Sequence, residues 1–214
     1  MIGLGLAVLR RGSLEIANPI YREVIPRALT FARQVTLAVE PAAFVRPDGR
    51  LDVRKLFTDW QVFWRKDGHL AAAGFGYREA GPHLMLMSFL QRVVNGLEGP
   101  LDPPTGGRGA GAPVPAGDAH PGGGRVEREY GLGRGALDLM IFWKADRHVI
   151  EVKVRRDTET EVEALDLVAR YLDLCGLAEG WLVMFDLRKE PAWTEKLYLR
   201  EVDHKGKKVW IVGC

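Results

Sequence analysis

The sequence predicts a mixed α/β fold in which helices cover one sheet. Three observations indicate this: an apolar helical stretch, three successive strand-like stretches, and a helix followed by a continuous apolar run that is typical of a buried strand. Their order from residue 80 onward is α-β-β-β-α-β, and a terminal hairpin completes it. The predicted stretches are residues 80–95, 125–130, 136–143, 148–154, 160–175 and 181–185, with hairpin strands at 196–202 and 208–212.

The N-terminal part is predicted to be mostly helical after two short strands within residues 4–17. Asn18 and Pro19 suit the N-cap and first turn of a helix, which Pro26 should bend or end. A second helix is predicted at residues 53–66, where apolar residues recur at helical spacing and favour core packing over a ligand site. These residues are Leu56, Phe57, Trp60 and Trp64.

Two regions follow from these patterns. Residues 1–70 are expected to form a helical connector, and residues 71–214 a second domain. Within the latter, residues 97–124 are rich in Gly and Pro, and we expect a flexible insertion because this composition buries little apolar surface. No Walker-type lysine follows its glycines, so a phosphate-binding loop is not predicted there.

Bulk composition places few limits on function. The net charge of the 214 residues is +2, which does not indicate a nucleic-acid-binding protein but leaves a local basic patch open. Cys175 and Cys214 have no metal-binding or redox spacing and fit a reducing compartment. The N-terminus lacks the pattern of a signal peptide, and no stretch approaches the roughly 20 apolar residues of a membrane span. We therefore expect a soluble, cytoplasmic protein without a membrane partner.

Three charged residues on two neighbouring strands carry the predicted chemistry. Strand residues two apart share a face, so Glu151 and Lys153 point the same way. Residues 144–147 form a natural hairpin turn, which places Asp138 within a rung or two of that pair. Two carboxylates and an ammonium should therefore converge. Such a set is also an ordinary surface salt bridge, and that interpretation stays open.

Paired carboxylates suit a hard divalent cation such as Mg²⁺, or Mn²⁺, which prefers oxygen ligands. Asp138 and Glu151 are the candidate ligands, and the main-chain carbonyl of Val152 is a third. Lys153 is expected to stabilise the charge of a phosphoryl transition state, since neighbouring carboxylates favour its charged form.

Several ordered motifs together resemble a known family. They are residues 133–139 (GRGALDL), 149–153 (VIEVK), 170–173 (RYLD) and 180–186 (GWLVMFD). These stretches look like the C-terminal nuclease-like domain of prokaryotic AAA-type ATPases, a member of the PD-(D/E)XK, or restriction-endonuclease-like, superfamily. The resemblance covers about residues 77–214 apart from the Gly/Pro-rich stretch.

The resemblance implies a restriction-endonuclease-like αβββαβ core, with Asp138 and Glu151 as metal ligands and Lys153 as the catalytic lysine. It also indicates Glu79, followed by His83, as an acidic residue that completes the site; a helix-start carboxylate is the equally weighted alternative. Residues 14–26 resemble the segment that closes a winged-helix domain in these proteins. The chain has no Walker motif, so an ATPase module is expected on a separate chain or is missing.

The sequence departs from the family in two places. Leu167 stands where relatives have a glutamine, and the 97–124 insertion separates the first core helix from the first strand. The leading hypothesis is a Mg²⁺-dependent nuclease that hydrolyses DNA phosphodiester bonds. The alternative is a non-catalytic DNA-binding or regulatory domain that works with an AAA-type ATPase. Predicted phosphate contacts are Arg134, Arg155 and Arg156. The terminal hairpin offers an edge strand, so a homodimer is kept as an option.

Overall fold

The computed structural model describes residues 7–10, 13–16, 39–69, 80–95, 124–132, 135–155, 157 and 159–214. The predicted helix after Asn18 and residues 97–123 of the predicted insertion therefore lie outside the described residues, whereas Gly124 begins β3. The helices are α1 (Val53–Phe63), α2 (Ala80–Val94), α3 (Glu159–Cys175) and the short α4 (Trp193–Lys196). The strands are β1 (Ala7–Arg10), β2 (Ser13–Ile16), β3 (Gly124–Leu132), β4 (Gly135–Trp143), β5 (Asp146–Val154), β6 (Glu179–Phe185), β7 (Leu199–His204) and β8 (Lys207–Gly213).

Six strands form one mixed sheet in the order β3-β4-β5-β6-β8-β7. Strands β3, β4 and β5 are antiparallel neighbours, whereas β6 is parallel to β5 and β8 is parallel to β6. A parallel neighbour requires a crossover connection, and α3 provides the one between β5 and β6. The predicted α/β class and the order of elements from α2 to β6 are confirmed. Among the described strands, β7 pairs only with β8 and lies at an edge of the sheet.

Helices pack on both faces of the sheet. Side chains alternate along β5, so Ile150 and Val152 join a core with α1 and α2, whereas Val149 joins a second core beneath α3. Phe57 of α1 stacks on Trp181 of β6 with ring centroids 4.9 Å apart. The predicted aromatic stripe of α1 is therefore part of the core.

Helix α1 begins at an N-cap and is fixed to the last strands of the sheet. The Asp52 carboxylate accepts a hydrogen bond from the main-chain N–H of Lys55, which satisfies one of the unpaired donors at a helix start. Its buried Gln61 amide donates to the carbonyls of Tyr198 and Gly213, at 2.8 and 2.7 Å. The helix was predicted to run to residue 66, but its α-helical part ends at Phe63 and one π-helical turn, Trp64–Gly68, follows.

Two tight turns end β4 and α3. Lys144 adopts a positive φ of 52° in the two-residue turn between β4 and β5, which fixes their register. Gly176 has a φ of 65° and ends α3, as its position after the last apolar residue predicts. Among the described helices, none is both long and apolar enough to cross a membrane.

Candidate metal site

The predicted constellation is assembled on the face of the sheet that α3 covers. Asp138 lies in β4, and Glu151 and Lys153 lie in β5. The register pairs Leu139 with Ile150, so Asp138 is opposite Glu151 at the next step along the strands. The Lys153 ammonium is 4.0 Å from Asp138 Oδ2 and 2.6 Å from Glu151 Oε1. The three charged groups that the sequence singles out therefore converge.

Asp138 marks the point where the pairing of β4 and β5 ends. The register runs from Trp143–Asp146 to Leu139–Ile150 and stops there. At the next position the Asp138 side chain takes the place of a main-chain acceptor. Its Oδ2 accepts a hydrogen bond from the Val152 N–H at 2.9 Å. This contact holds the carboxylate in one orientation beside Glu151.

Glu151 is a buried carboxylate that is only half satisfied. Its side chain is 2% exposed, and Oε1 accepts a hydrogen bond from Lys153. The second oxygen, Oε2, is buried and has no hydrogen-bond partner among the described residues. Burial and the nearby charge of Asp138 raise the pKa of Glu151 to about 7. A buried acceptor without a partner destabilises a protein, and either a proton or a cation on this oxygen would offset that cost.

Lys153 supplies the positive charge of the constellation. Burial acts to lower the pKa of its ammonium, but the hydrogen bond and charge of Glu151, together with Asp138, outweigh it and raise the pKa. The surroundings of Lys153 therefore favour the charged form of its side chain, as the sequence predicts. Asp138 and Lys153 side chains are 31% and 34% exposed, so a ligand can reach them from solvent above the buried Glu151.

Oxygen donors and net charge both fit a hard divalent cation. The two carboxylates and one ammonium leave one negative charge at the site when Glu151 is ionised. Mg²⁺ prefers carboxylate oxygens and keeps several waters, so it does not need an all-protein cage. Among the described residues, no three His, Cys, Asp or Glu side chains come together as a metal-binding group. Further ligands would be the Val152 carbonyl, water, or Glu79.

Comparisons with known proteins give no family. No family model matches the chain, and no curated protein or solved structure matches it significantly.

The remaining predicted site residues divide into two groups. Glu79, Arg134 and Arg156 lie outside the described residues. Arg155 directly follows β5, and its Nη2 donates to Glu161 Oε2 at 3.0 Å. Val152 is buried on the opposite face from Glu151, so only its main chain can serve the site.

Two other polar residues, Glu127 in β3 and His83 in α2, have interactions of their own. Glu127 in β3 accepts a hydrogen bond from Arg125 Nε at 2.7 Å. His83 is half-buried in α2, the helix that packs on the other face of the sheet. Neither residue is therefore placed as a ligand by its described contacts.

Two tyrosines near the constellation were not singled out by sequence reasoning. Tyr171 of α3 is buried and lies close enough to Lys153 to interact electrostatically with its ammonium. Tyr198, just before β7, contacts Arg155 through its hydroxyl at 3.1 Å. The helical period of α3 places Tyr171 on the face with Val168 and Leu172 and was available from sequence, but no local signal brings Tyr198 to β5.

Proposed function

We propose that this chain is a divalent-metal-dependent nuclease that hydrolyses DNA phosphodiester bonds. One observation supports this more than any other. Glu151 keeps a buried carboxylate oxygen without a hydrogen-bond partner in the described part of the chain, beside a second carboxylate that is held in place. A protein that needed only stability would gain by neutralising or replacing this group. A buried carboxylate placed against a second carboxylate is typical of functional sites, where such neighbours perturb the pKa of the buried group.

The architecture supports the same proposal. The helix, three antiparallel strands, crossover helix and parallel strand of the described chain have the element order expected for a restriction-endonuclease-like core. Asp138, Glu151 and Lys153 occupy the second and third strands of that order, where the resemblance in the sequence expects them. We therefore assign the core to this superfamily as part of the proposal.

Each side chain has a distinct role in the proposed reaction. A bound Mg²⁺ would supply Lewis-acid stabilisation of negative charge on the phosphoryl group. Asp138 and Glu151 would hold it, and the Val152 N–H fixes the direction of the Asp138 carboxylate. Lys153 donates one N–H to Glu151, and its other two N–H groups are available to a phosphoryl oxygen, where they stabilise the charge that develops in the transition state.

Cleavage assays test the proposal directly. The purified chain is incubated with supercoiled plasmid, single-stranded DNA and branched DNA in Mg²⁺, Mn²⁺ or EDTA. We expect metal-dependent cleavage that Glu151→Gln abolishes and that Asp59→Asn, a carboxylate change on α1 across the sheet, leaves intact. Absence of cleavage on every substrate, or equal cleavage by Glu151→Gln, contradicts the proposal.

A non-catalytic DNA-binding or regulatory domain of an ATPase is the second candidate. One observation favours it: only two carboxylates meet at the site in the described part of the chain. This function predicts salt-sensitive DNA binding that EDTA does not change and that is not followed by cleavage. The cleavage assay and a binding assay in EDTA together separate the two candidates.

A further inference from the structure

A cavity of about 190 Å³ lies beside the candidate metal site, where β5 and β6 end. Lys153 pairs with Met184 of β6 in the parallel register, and Met184 lines the cavity. The cavity therefore begins next to the lysine of the constellation. Its polar lining residues are Arg155, Asp186, Arg188, Glu195, Lys196 and Tyr198.

Arg155, which lines the cavity, is held by a carboxylate that it shares with Arg200. Glu161 of α3 accepts hydrogen bonds from Arg155 and from Arg200, so one negative charge serves two guanidinium groups. Arg155 also donates to the Tyr198 hydroxyl oxygen at 3.1 Å. Because this oxygen acts as an acceptor, the phenolic proton remains available to a ligand. Burial raises the pKa of Tyr198, which keeps that proton in place at neutral pH.

Three other lining residues, Asp186, Arg188 and Lys196, add a further positive charge. Asp186 accepts hydrogen bonds from Arg188 Nε and Nη2 at 2.9 and 2.6 Å, so these two charges offset each other. Lys196 donates to the main-chain carbonyl of Arg188, which is a neutral acceptor. The cavity is lined by three cationic side chains, Arg155, Arg188 and Lys196, and by two acidic ones, Asp186 and Glu195. It therefore favours an anion.

The spacing along β5 relates the cavity to the candidate metal site. Arg155 lies two residues beyond Lys153, which is about 7 Å along an extended strand. Its main-chain N–H continues the ladder by donating to the Phe185 carbonyl. Duplex DNA carries one phosphate per ~3.4 Å of axis on each strand. A phosphate flanking the one at Lys153 is therefore within reach of the Arg155 guanidinium.

We propose that this cavity binds a second phosphate group of the substrate strand, with Arg155 and Tyr198 as its donors and Lys196 as the compensating charge. The position of the DNA strand, with one phosphate at Lys153, rests on the proposed nuclease function. The phosphate has two possible sources, a diester within the strand or a monoester at its 5′ end. A guanidinium and a hydroxyl that both donate to the oxygens of one phosphate group suit either source.

Binding without cleavage tests the cavity separately from the reaction. The full chain is titrated in EDTA with a short single-stranded oligonucleotide, labelled at its 3′ end, in 5′-phosphorylated and 5′-hydroxyl forms. Tyr198→Phe keeps the ring and removes the hydroxyl, and Arg155→Gln removes the charge. The control is Lys205→Gln, which removes an exposed charge paired with Asp166 at the distant β7–β8 turn. Thermal unfolding of each variant confirms that it is folded.

The expected result is a loss of affinity of about tenfold for Tyr198→Phe and at least tenfold for Arg155→Gln. For Arg155→Gln, the slope of log K against log salt should also become smaller by about 0.7. Equal losses for the two oligonucleotides assign an internal diester, and a loss confined to the phosphorylated form assigns a 5′ monoester. Lys205→Gln should bind as the parent does.

Two patterns separate this inference from the nuclease proposal. If Mg²⁺-dependent cleavage occurs and folded Tyr198→Phe and Arg155→Gln proteins keep the parent KM and affinity, the cavity assignment is overturned and the nuclease proposal stands. If the parent does not cut but both variants lose affinity, the nuclease proposal fails and the phosphate site stands. A parent chain that binds neither oligonucleotide overturns the cavity assignment.

Discussion

Replacing Glu151 with glutamine should stabilise the protein at alkaline pH. Burial and Asp138 raise the pKa of this carboxyl from 4.5 to about 7. A pKa difference of one corresponds to about 1.4 kcal/mol, so ionised Glu151 costs the folded state on the order of 3 kcal/mol relative to an exposed glutamate. Glutamine has the same shape and no ionisation, so it removes this cost together with the metal site.

The sign of the effect follows from which state binds the proton more tightly. The folded pKa is above the unfolded one, so the Glu151 contribution to stability is fully present below about pH 4.5. It is lost as pH rises from 4.5 to about 7, and it stays constant above that. Between about pH 5 and pH 8 the free energy of unfolding of the parent should therefore fall by roughly 2 kcal/mol more than that of Glu151→Gln. For a chain of this length that corresponds to about 4–8 °C in Tm.

Urea unfolding in EDTA at about pH 5 and pH 8 measures this difference. Asp59→Asn, on the opposite face of the sheet, serves as the matched control and should follow the parent at both pH values. Mg²⁺ added at alkaline pH should stabilise the parent and not Glu151→Gln, since a cation that binds only the folded state raises stability by mass action. Two results would show that ionised Glu151 does not destabilise the folded state. One is a Glu151→Gln variant that is less stable than the parent at pH 8, and the other is a variant that loses as much stability as the parent does from pH 5 to pH 8.

Three further predictions address neighbouring groups. Lys153→Met should reduce cleavage at least ~100-fold while Mg²⁺ still raises its Tm, because the ammonium stabilises charge and does not coordinate the cation; loss of the Mg²⁺ effect argues against that role. Burial lowers the pKa of His148, so the stability that neutral His148 contributes is present above the unfolded pKa of 6.5 and is lost as pH falls. His148→Gln should therefore reduce the acid-side decline in the free energy of unfolding measured with urea. An unchanged decline contradicts this. Gln61→Leu leaves two strand-end carbonyls without their donor and should lower the free energy of unfolding in urea by about 2–4 kcal/mol. The control Val62→Ala changes a side chain that is 64% exposed and should lower it by less than about 0.5 kcal/mol.

Local patterns are sufficient to predict the constellation because its geometry is local. Glu151 and Lys153 share a face by strand alternation alone, and a short turn centred on Lys144 brings Asp138 opposite them. The order of helices and strands follows from periodicity in the same way. These features depend on neighbours within about 15 residues along the chain, where turn chemistry and the side-chain period act strongly.

The burial of Glu151 could not be predicted from its own strand. An acid-x-lysine pair on a strand is usually exposed, and what changes this here is α3, which covers that face through Val168 and Leu172. The cavity depends on a contact of still longer range, since Tyr198 is 43 positions from Arg155. The end of α1 also escaped prediction, because its aromatic stripe continues past Phe63 while its backbone changes to a π-helical turn.

The measurement that tests the central claim most directly is a crystal structure of the chain soaked in Mn²⁺ near pH 8, with anomalous scattering used to locate the metal. A cation held by Asp138 and Glu151 should give an anomalous peak between the two carboxylates, about 2.1 Å from their nearest oxygens, and the peak should be absent in Glu151→Gln. A structure in which Glu151 Oε2 is still without a partner and no peak lies between the two carboxylates would contradict the account.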